Sequence, residues 1–129
     1  MTTPIQALAG IAGALAKFEV DICAALAHSG THHFDDVILG VLDGSYDVFY
    51  NEGGVVLCEI SDHPLSRAYH IFVAAGKMDA VLALRPEVAA KALSLGCDKL
   101  TMTGRLGWQR ALVNEGWTAH AIHMTSDLT

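Results

Sequence analysis

Glu59 and His70 are the two side chains in this sequence best placed to move a proton. Each lies in an apolar run, Val55-Val56-Leu57-Cys58-Glu59-Ile60 and Arg67 to Ala75. Both runs read as neighbouring strands, so a carboxylate and an imidazole can face one opening. Either group could deprotonate an amine there. The plainer alternative is a single cross-strand polar contact.

Two other groups have types that suit chemistry or binding. His28, His32, His33, Asp35 and Asp36 form the densest set of metal-ligating side chains. Ser29-Gly30 break any helix that would align His28 with His32, so the set reads as a solvated helix start and no metal is expected. His120 and His123 are three apart on an expected strand and point to opposite faces. Arg105, Trp108, Arg110 and Trp117 crowd one stretch. Arg–Trp stacking is worth about 0.5–2 kcal/mol, and both residue types concentrate in binding hot spots. Arg105, Trp108 and Arg110 are therefore candidate partner-binding residues. The alternative is that the rings fill the core and the Arg stems cover them. No nucleophile elbow, phosphate loop or triad spacing occurs. Basic–aromatic interleaving is confined to this patch, too little for nucleic acid.

The elements that must position these residues follow from periodicity and breakers. Ile5 to Ala27 is Ala- and Leu-rich, apolar on more than one face, and reads as one long helix or two short ones. Gly30 ends it. A helix follows over about His33 to Leu42, with Asp35 and Asp36 in its first turn. Strands are expected at Tyr46–Tyr50, Val55–Ile60 and Arg67–Ala75. Asn51-Glu52-Gly53-Gly54 and the Pro64-containing Ser61–Ser66 segment are the turns of an antiparallel meander. Asp79 caps a helical turn over Ala80–Leu84, and Pro86 opens a helix running to Leu95. A fourth strand, Lys99–Thr103, follows this crossover and should lie parallel to the third. A helix through Trp108 and Leu112 and a last strand, Trp117–Met124, complete one domain over residues 1–129.

Composition narrows the class. The 129 residues are 52 % apolar and 17 % charged, against about 45–50 % and about 25 % in ordinary domains. That excludes intrinsic disorder. The longest uncharged stretch, Met1–Ala16, contains Pro4, Gly10 and Gly13 and is too short to span a bilayer. Its leading Met-Thr-Thr-Pro lacks the positive charge of a signal peptide. Cys23, Cys58 and Cys97 read as reduced core thiols. Residues 1–66 hold nine acids and one base, net −8; residues 67–129 hold five acids and seven bases, net +2. Such halves could attract each other or neighbouring copies, in a salt-dependent way.

From about residue 33 onward the order of elements resembles the GNAT acyltransferase superfamily with its first strand missing. That implies an α/β (α+β) fold: a mixed sheet of about five strands, an antiparallel meander plus a parallel pair, flanked by helices. Gly104-Arg105-Leu106-Gly107-Trp108-Gln109-Arg110-Ala111-Leu112, followed by Gly116-Trp117, is similar to small GNAT-like proteins of tailed bacteriophages, some of them virion components. In catalytic members the third and fourth strands splay. Acyl-CoA enters the opening, pairing with strand backbone, which corresponds here to Val73, Ala74 and Ala75. Its pyrophosphate sits on a Gly-rich turn, Gln/Arg-x-x-Gly-x-Gly/Ala. The matching turn here begins Gly76-Lys77-Met78-Asp79, with one glycine and a misplaced negative charge. A Tyr that protonates the leaving thiolate would fall at Leu112.

These departures imply a non-catalytic GNAT-like phage protein without a cofactor. It would act through protein–protein contacts with phage structural proteins or copies of itself, in the virion or host cytoplasm. The alternative is an acetyl-CoA-dependent N-acyltransferase. In it Glu59 or His70 assists the amine, Val73–Ala75 polarise the thioester, and Gly76 and Lys77 meet the pyrophosphate. An open gap between the third and fourth strands would favour the enzyme. A gap plugged by Met78 or Met102 would favour the scaffold.

Overall fold

The computed structural model describes residues 2–104 and 106–128. Helix α1, Pro4–Lys17, opens on a capping box: the Gln6 amide donates to Thr3 Oγ1 (3.1 Å) and the Thr3 amide to Gln6 Oε1 (2.9 Å). Phe18 breaks the Ala/Leu-rich stretch into two. Its backbone leaves helical geometry while its ring is buried, and α2, Glu19–Ser29, continues at a new angle to Gly30. Gly30 has φ +66°, a conformation only glycine adopts readily. Helix α3, Phe34–Leu42, starts where the Asp36 carboxylate accepts the His33 amide.

Four strands form one sheet in sequential order: β1 Asp47–Tyr50, β2 Gly54–His63, β3 Ser66–Gly76 and β4 Lys99–Met102. The first three pair antiparallel, and β4 pairs parallel with β3. Between β3 and β4 run α4, Met78–Ala83, and α5, Arg85–Ser94. Helix α6, Leu106–Leu112, follows β4 and ends in a 3-10 turn, Val113–Glu115. This mixed α+β sheet is the fold class that the sequence implied.

Alternation along β2 builds two cores. Val55 and Leu57 face α1–α3, where Leu15, Phe18, Ile22, Leu26 and Val37 cover them. Val56 and Cys58 face the other way, against Val81 of α4, Val88 and Ala92 of α5, and Leu84 between the two helices.

Three expectations are corrected. Residues 117–124 form no strand: among the described residues nothing after Gly116 is regular, and Ile122 is 85 % exposed. Trp117 turns into the gap between α5 and α6, and so the chain behind it leaves the sheet edge. The sheet therefore has four strands rather than five. Asp79 is not the cap of α4; Lys77 takes that position and Asp79 lies within the first turn. Cys23 is exposed, not a core thiol, whereas Cys58 and Cys97 are buried. Among the described residues no helix is long and apolar enough to cross a membrane.

Ile22 is fully buried against the sheet, while Val20 on the same helix is 82 % exposed. Ile22→Ala should destabilise the fold by about 2–5 kcal/mol, and Val20→Ala by less than about 0.5 kcal/mol. Urea denaturation measures both. Equal losses would contradict the assignment of α2's inner face.

Candidate functional site

Strand β3 has β2 beside it along its whole length but β4 beside only part of it. Ala68–Ile71 pair with Lys99–Met102, and β4 then ends. β3 runs on from Phe72 to Gly76 with no β4 residue opposite. At the same point the β2–β3 register slips. Leu57 faces Val73 and Cys58 faces Ile71, so Phe72 has no partner on β2. This is a β-bulge, which bends a strand and re-aims its backbone. Both ladders lapse at Phe72.

The two sequence-proposed proton movers meet next to this point. Glu59 and His70 are register partners on β2 and β3, and His70 and Thr101 are partners on β3 and β4. The three side chains form one row on the face that carries α1–α3. His70 Nδ1 lies 3.0 Å from Thr101 Oγ1. Burial lowers the His70 pKa below the usual imidazole value, and the facing Glu59 carboxylate opposes that only in part. The imidazole is therefore neutral at pH 7.

Sequence reasoning missed the aromatic wall beside this row. The Phe72 ring centroid lies 4.8 Å from His32 and 4.9 Å from Tyr46. Tyr46 packs on Gly40 of α3, where any Cβ would collide with its ring. Burial raises the Tyr46 phenol, and the Glu59, Asp43 and Asp36 carboxylates raise it further. The Tyr46 ring thus lies among three acids. A Gly six residues before an aromatic was the only local signal.

On the opposite face, the parting of β3 from β4 opens a narrow apolar slot of about 50 Å³. Ile71, Ala74, Leu100, Met102, Trp108 and Leu112 line it. Met102 is in its wall; Met78 lies elsewhere. A larger opening, about 420 Å³, lies between α1 and the β1–β2 turn, lined by Gly13, Lys17 and Tyr50. Its one cation, Lys17, donates to the Glu52 carbonyl at 2.6 Å. It lies away from the point where β3 and β4 part, which the slot adjoins.

The remaining proposed positions fall as follows. Val73 and Ala75 are buried toward α1–α3, and Ala74 lines the slot. Among the described residues no strand pairs with this edge of β3 beyond Ile71. The Gly76–Lys77 turn is another matter. The Lys77 amide donates to the Gly53 carbonyl (2.8 Å), and the Ala80 amide to the Asp79 carboxylate (2.9 Å). Gly76, at φ +107°, lies against Gly53 so closely that a Cβ would strike its carbonyl. At this turn one glycine and the Asp79 carboxylate stand where the resemblance expects a glycine-rich run. Leu112 is buried in the slot wall and supplies no proton.

Trp108 is half-buried and packs into the core beneath α5 rather than forming an outer patch with Arg110, which is exposed. Arg105 lies outside the described residues. Trp117 meets Arg85, whose guanidinium is 5.7 Å from its ring centroid. His32 is turned to Phe72 and to Thr31 Oγ1 (2.7 Å), and His28 ends α2. Among the described residues no three His, Cys, Asp or Glu side chains gather as metal ligands. Tyr69, fully buried, donates its hydroxyl to Asp47, and burial followed by that carboxylate holds its pKa high.

No protein-family model matches the chain, and no curated protein matches it in sequence. Solved structures do match in fold. A probable acetyltransferase superposes with TM-score 0.62 at 8 % identity, over 84 % of this chain and 86 % of that one. Glucosamine-6-phosphate N-acetyltransferase from Arabidopsis thaliana gives 0.60 at 13 % identity, over 74 % and 77 %. A transcriptional regulator from Bacillus halodurans gives 0.61 at 12 %, over 74 % and 75 %. The chain thus has the GNAT acetyltransferase fold.

His70 should titrate below the ordinary value of 6.5. Because folding lowers this pKa, the unfolded chain protonates first. Stability is full above about pH 6.5 and is lost as pH falls from there toward the folded value. Glu59→Gln removes an opposing charge and should lower the pKa further. Histidine NMR titration reads both; a His70 midpoint at or above 6.5 would contradict the burial argument.

Proposed function

We propose that the chain is an N-acyltransferase that moves an acyl group from a thioester, acetyl-CoA or a relative of it, to an amine. One observation carries this reading: His70 lies beside the single point where β3 bulges and parts from β4. His70 stands on the α1–α3 face beside the lapsed ladder, and the apolar slot lies against the same strand ends on the opposite face. Fold likeness to acetyltransferases supports the same class.

Amide formation makes a C–N bond, breaks the C–S bond and takes one proton from the amine. With Nδ1–H donating to Thr101 Oγ1, the lone pair on His70 Nε2 is free to accept that proton. Glu59 faces the imidazole and steadies the cation that results. Backbone N–H groups near Phe72 and Val73, released from a regular ladder, can polarise the thioester carbonyl. The thioester supplies the acyl group and the leaving thiolate. No side chain at Leu112 protonates that thiolate, so solvent must do it.

The second reading is the non-catalytic phage particle protein. The Gly76–Asp79 turn supports it, because its Lys77 amide is already taken by Gly53 and its Asp79 carboxylate repels an anion. In that reading Ile5, Leu8 and Leu39, all exposed, meet partner proteins or further copies of the chain.

Calorimetric titration with acetyl-CoA, alongside thiol release in the presence of amines, separates the two. The enzyme reading expects binding and amine-dependent thiol release. His70→Gln should slow that release by about 10²–10⁴-fold without loss of thermal stability. Absence of both heat and thiol release would overturn it in favour of the particle protein.

A further inference from the structure

We infer that copies of this chain associate face to back, with the outer side of α3 in one copy seated on the outer side of α5 in the next. The two helices cover opposite faces of the sheet. Each turns a buried side inward, Val37 and Gly40 on α3, Val88 and Ala92 on α5. Asp35, Leu39 and Leu42 follow one another at i, i+4 and i+7, so they share one outer stripe of α3. Leu39 is 62 % exposed and Leu42 74 %, and the exposed Asp36 and Asp43 flank them. On α5, Pro86, Ala90 and Leu93 recur at the same spacing and are exposed, Leu93 by 75 %. Lys91 stands beside that stripe, also exposed.

Charge selects the pairing. Residues 4–43, which carry α1–α3, hold five acids (Glu19, Asp21, Asp35, Asp36 and Asp43) and one base, Lys17, net −4. Residues 77–112, which carry α4, α5, β4 and α6, hold six bases and three acids, net +3. On α5 itself Glu87 is the one acid, against Arg85 and Lys91. Among the described residues the ion pairs are Lys17–Glu52 and Arg67–Asp62, so neither Lys91 nor the α3 acids have a partner charge there. Two α3 stripes facing each other would set acid against acid. α3 on α5 sets leucine on leucine, with carboxylates around Lys91, an apolar centre inside a complementary polar rim. The stripes lie on opposite faces, so two copies leave one of each uncovered, and association continues into a ring or filament. The contact uses neither His70 nor the slot and stands apart from acyl transfer.

Sedimentation velocity of the full chain over a concentration series tests this. The weight-average sedimentation coefficient should rise past the value for a dimer. The rise should shrink from about 0.1 M to about 1 M salt, as the screening length falls from about 10 Å to about 3 Å. Asp35→Lys and Lys91→Glu change exposed side chains and should leave the melting temperature unchanged. Each sets like charges together and should weaken association by about tenfold or more. An equimolar mixture of the two variants should associate again, because the reversed stripe of one matches the reversed stripe of the other. A monomer at every concentration would overturn the inference. So would an association that stops at the dimer, that ignores salt or either substitution, or that the mixture of variants fails to restore.

Discussion

One strand is asked to do two things. β3 needs a partner on each edge to bury its backbone, yet β4 satisfies it only as far as Ile71. Parallel pairing requires a long crossover, here α4 and α5, and that crossover sets where β4 enters and ends. Beyond Ile71 the sheet cannot close, and the β2–β3 ladder slips by one residue at the same place. The bulge, the slot beneath and the polar row above are all consequences of this mismatch. Buried side chains on both faces hold it in place. Val73 and Ala75 are locked against α1–α3, while Tyr69 is pinned through Asp47.

The polar row fits that setting. Unpaired backbone and half-buried ionisable groups are expensive in a core, and a fold tolerates them where they serve chemistry. Here His70 and Thr101 hydrogen-bond across β3 and β4, Glu59 faces His70 from β2, and all three are only partly buried. The Gly76–Lys77 turn shows the reverse. Its Lys77 amide is tied to the Gly53 carbonyl, which joins the β1–β2 hairpin to the start of α4.

Much of this was legible in the residues. Breakers such as Gly30, Pro64 and Gly116 mark element ends through local backbone physics, so the meander and the parallel β4 could be read directly. Glu59 and His70 could be paired because two strand runs with one turn between them fix a register within a residue or two. The aromatic wall was not legible: His32, Tyr46 and Phe72 come from three elements, and only tertiary packing joins them. Phe72 and Val73 both face the α1–α3 side because of the bulge, and no local pattern announces a bulge. The Trp117–Met124 run misled for a related reason. Its alternation is strand-like, but Ala119 and Ala121 offer little area to bury, and the Trp117 ring gains more in the slot wall. Trp108 left two readings open, since a surface hot spot and a core ring look the same in sequence; its ring packs against the α4–α5 core.

Under the proposed function the gap between β3 and β4 receives a thioester arm. Amide chemical-shift mapping with desulfo-CoA, which cannot deliver an acyl group, probes that gap. Shifts should concentrate at Phe72–Ala75 and Leu100–Met102, with weaker ones at His70. Shifts confined to the wide groove of Gly13, Lys17 and Tyr50, or no shifts at millimolar ligand, would contradict it.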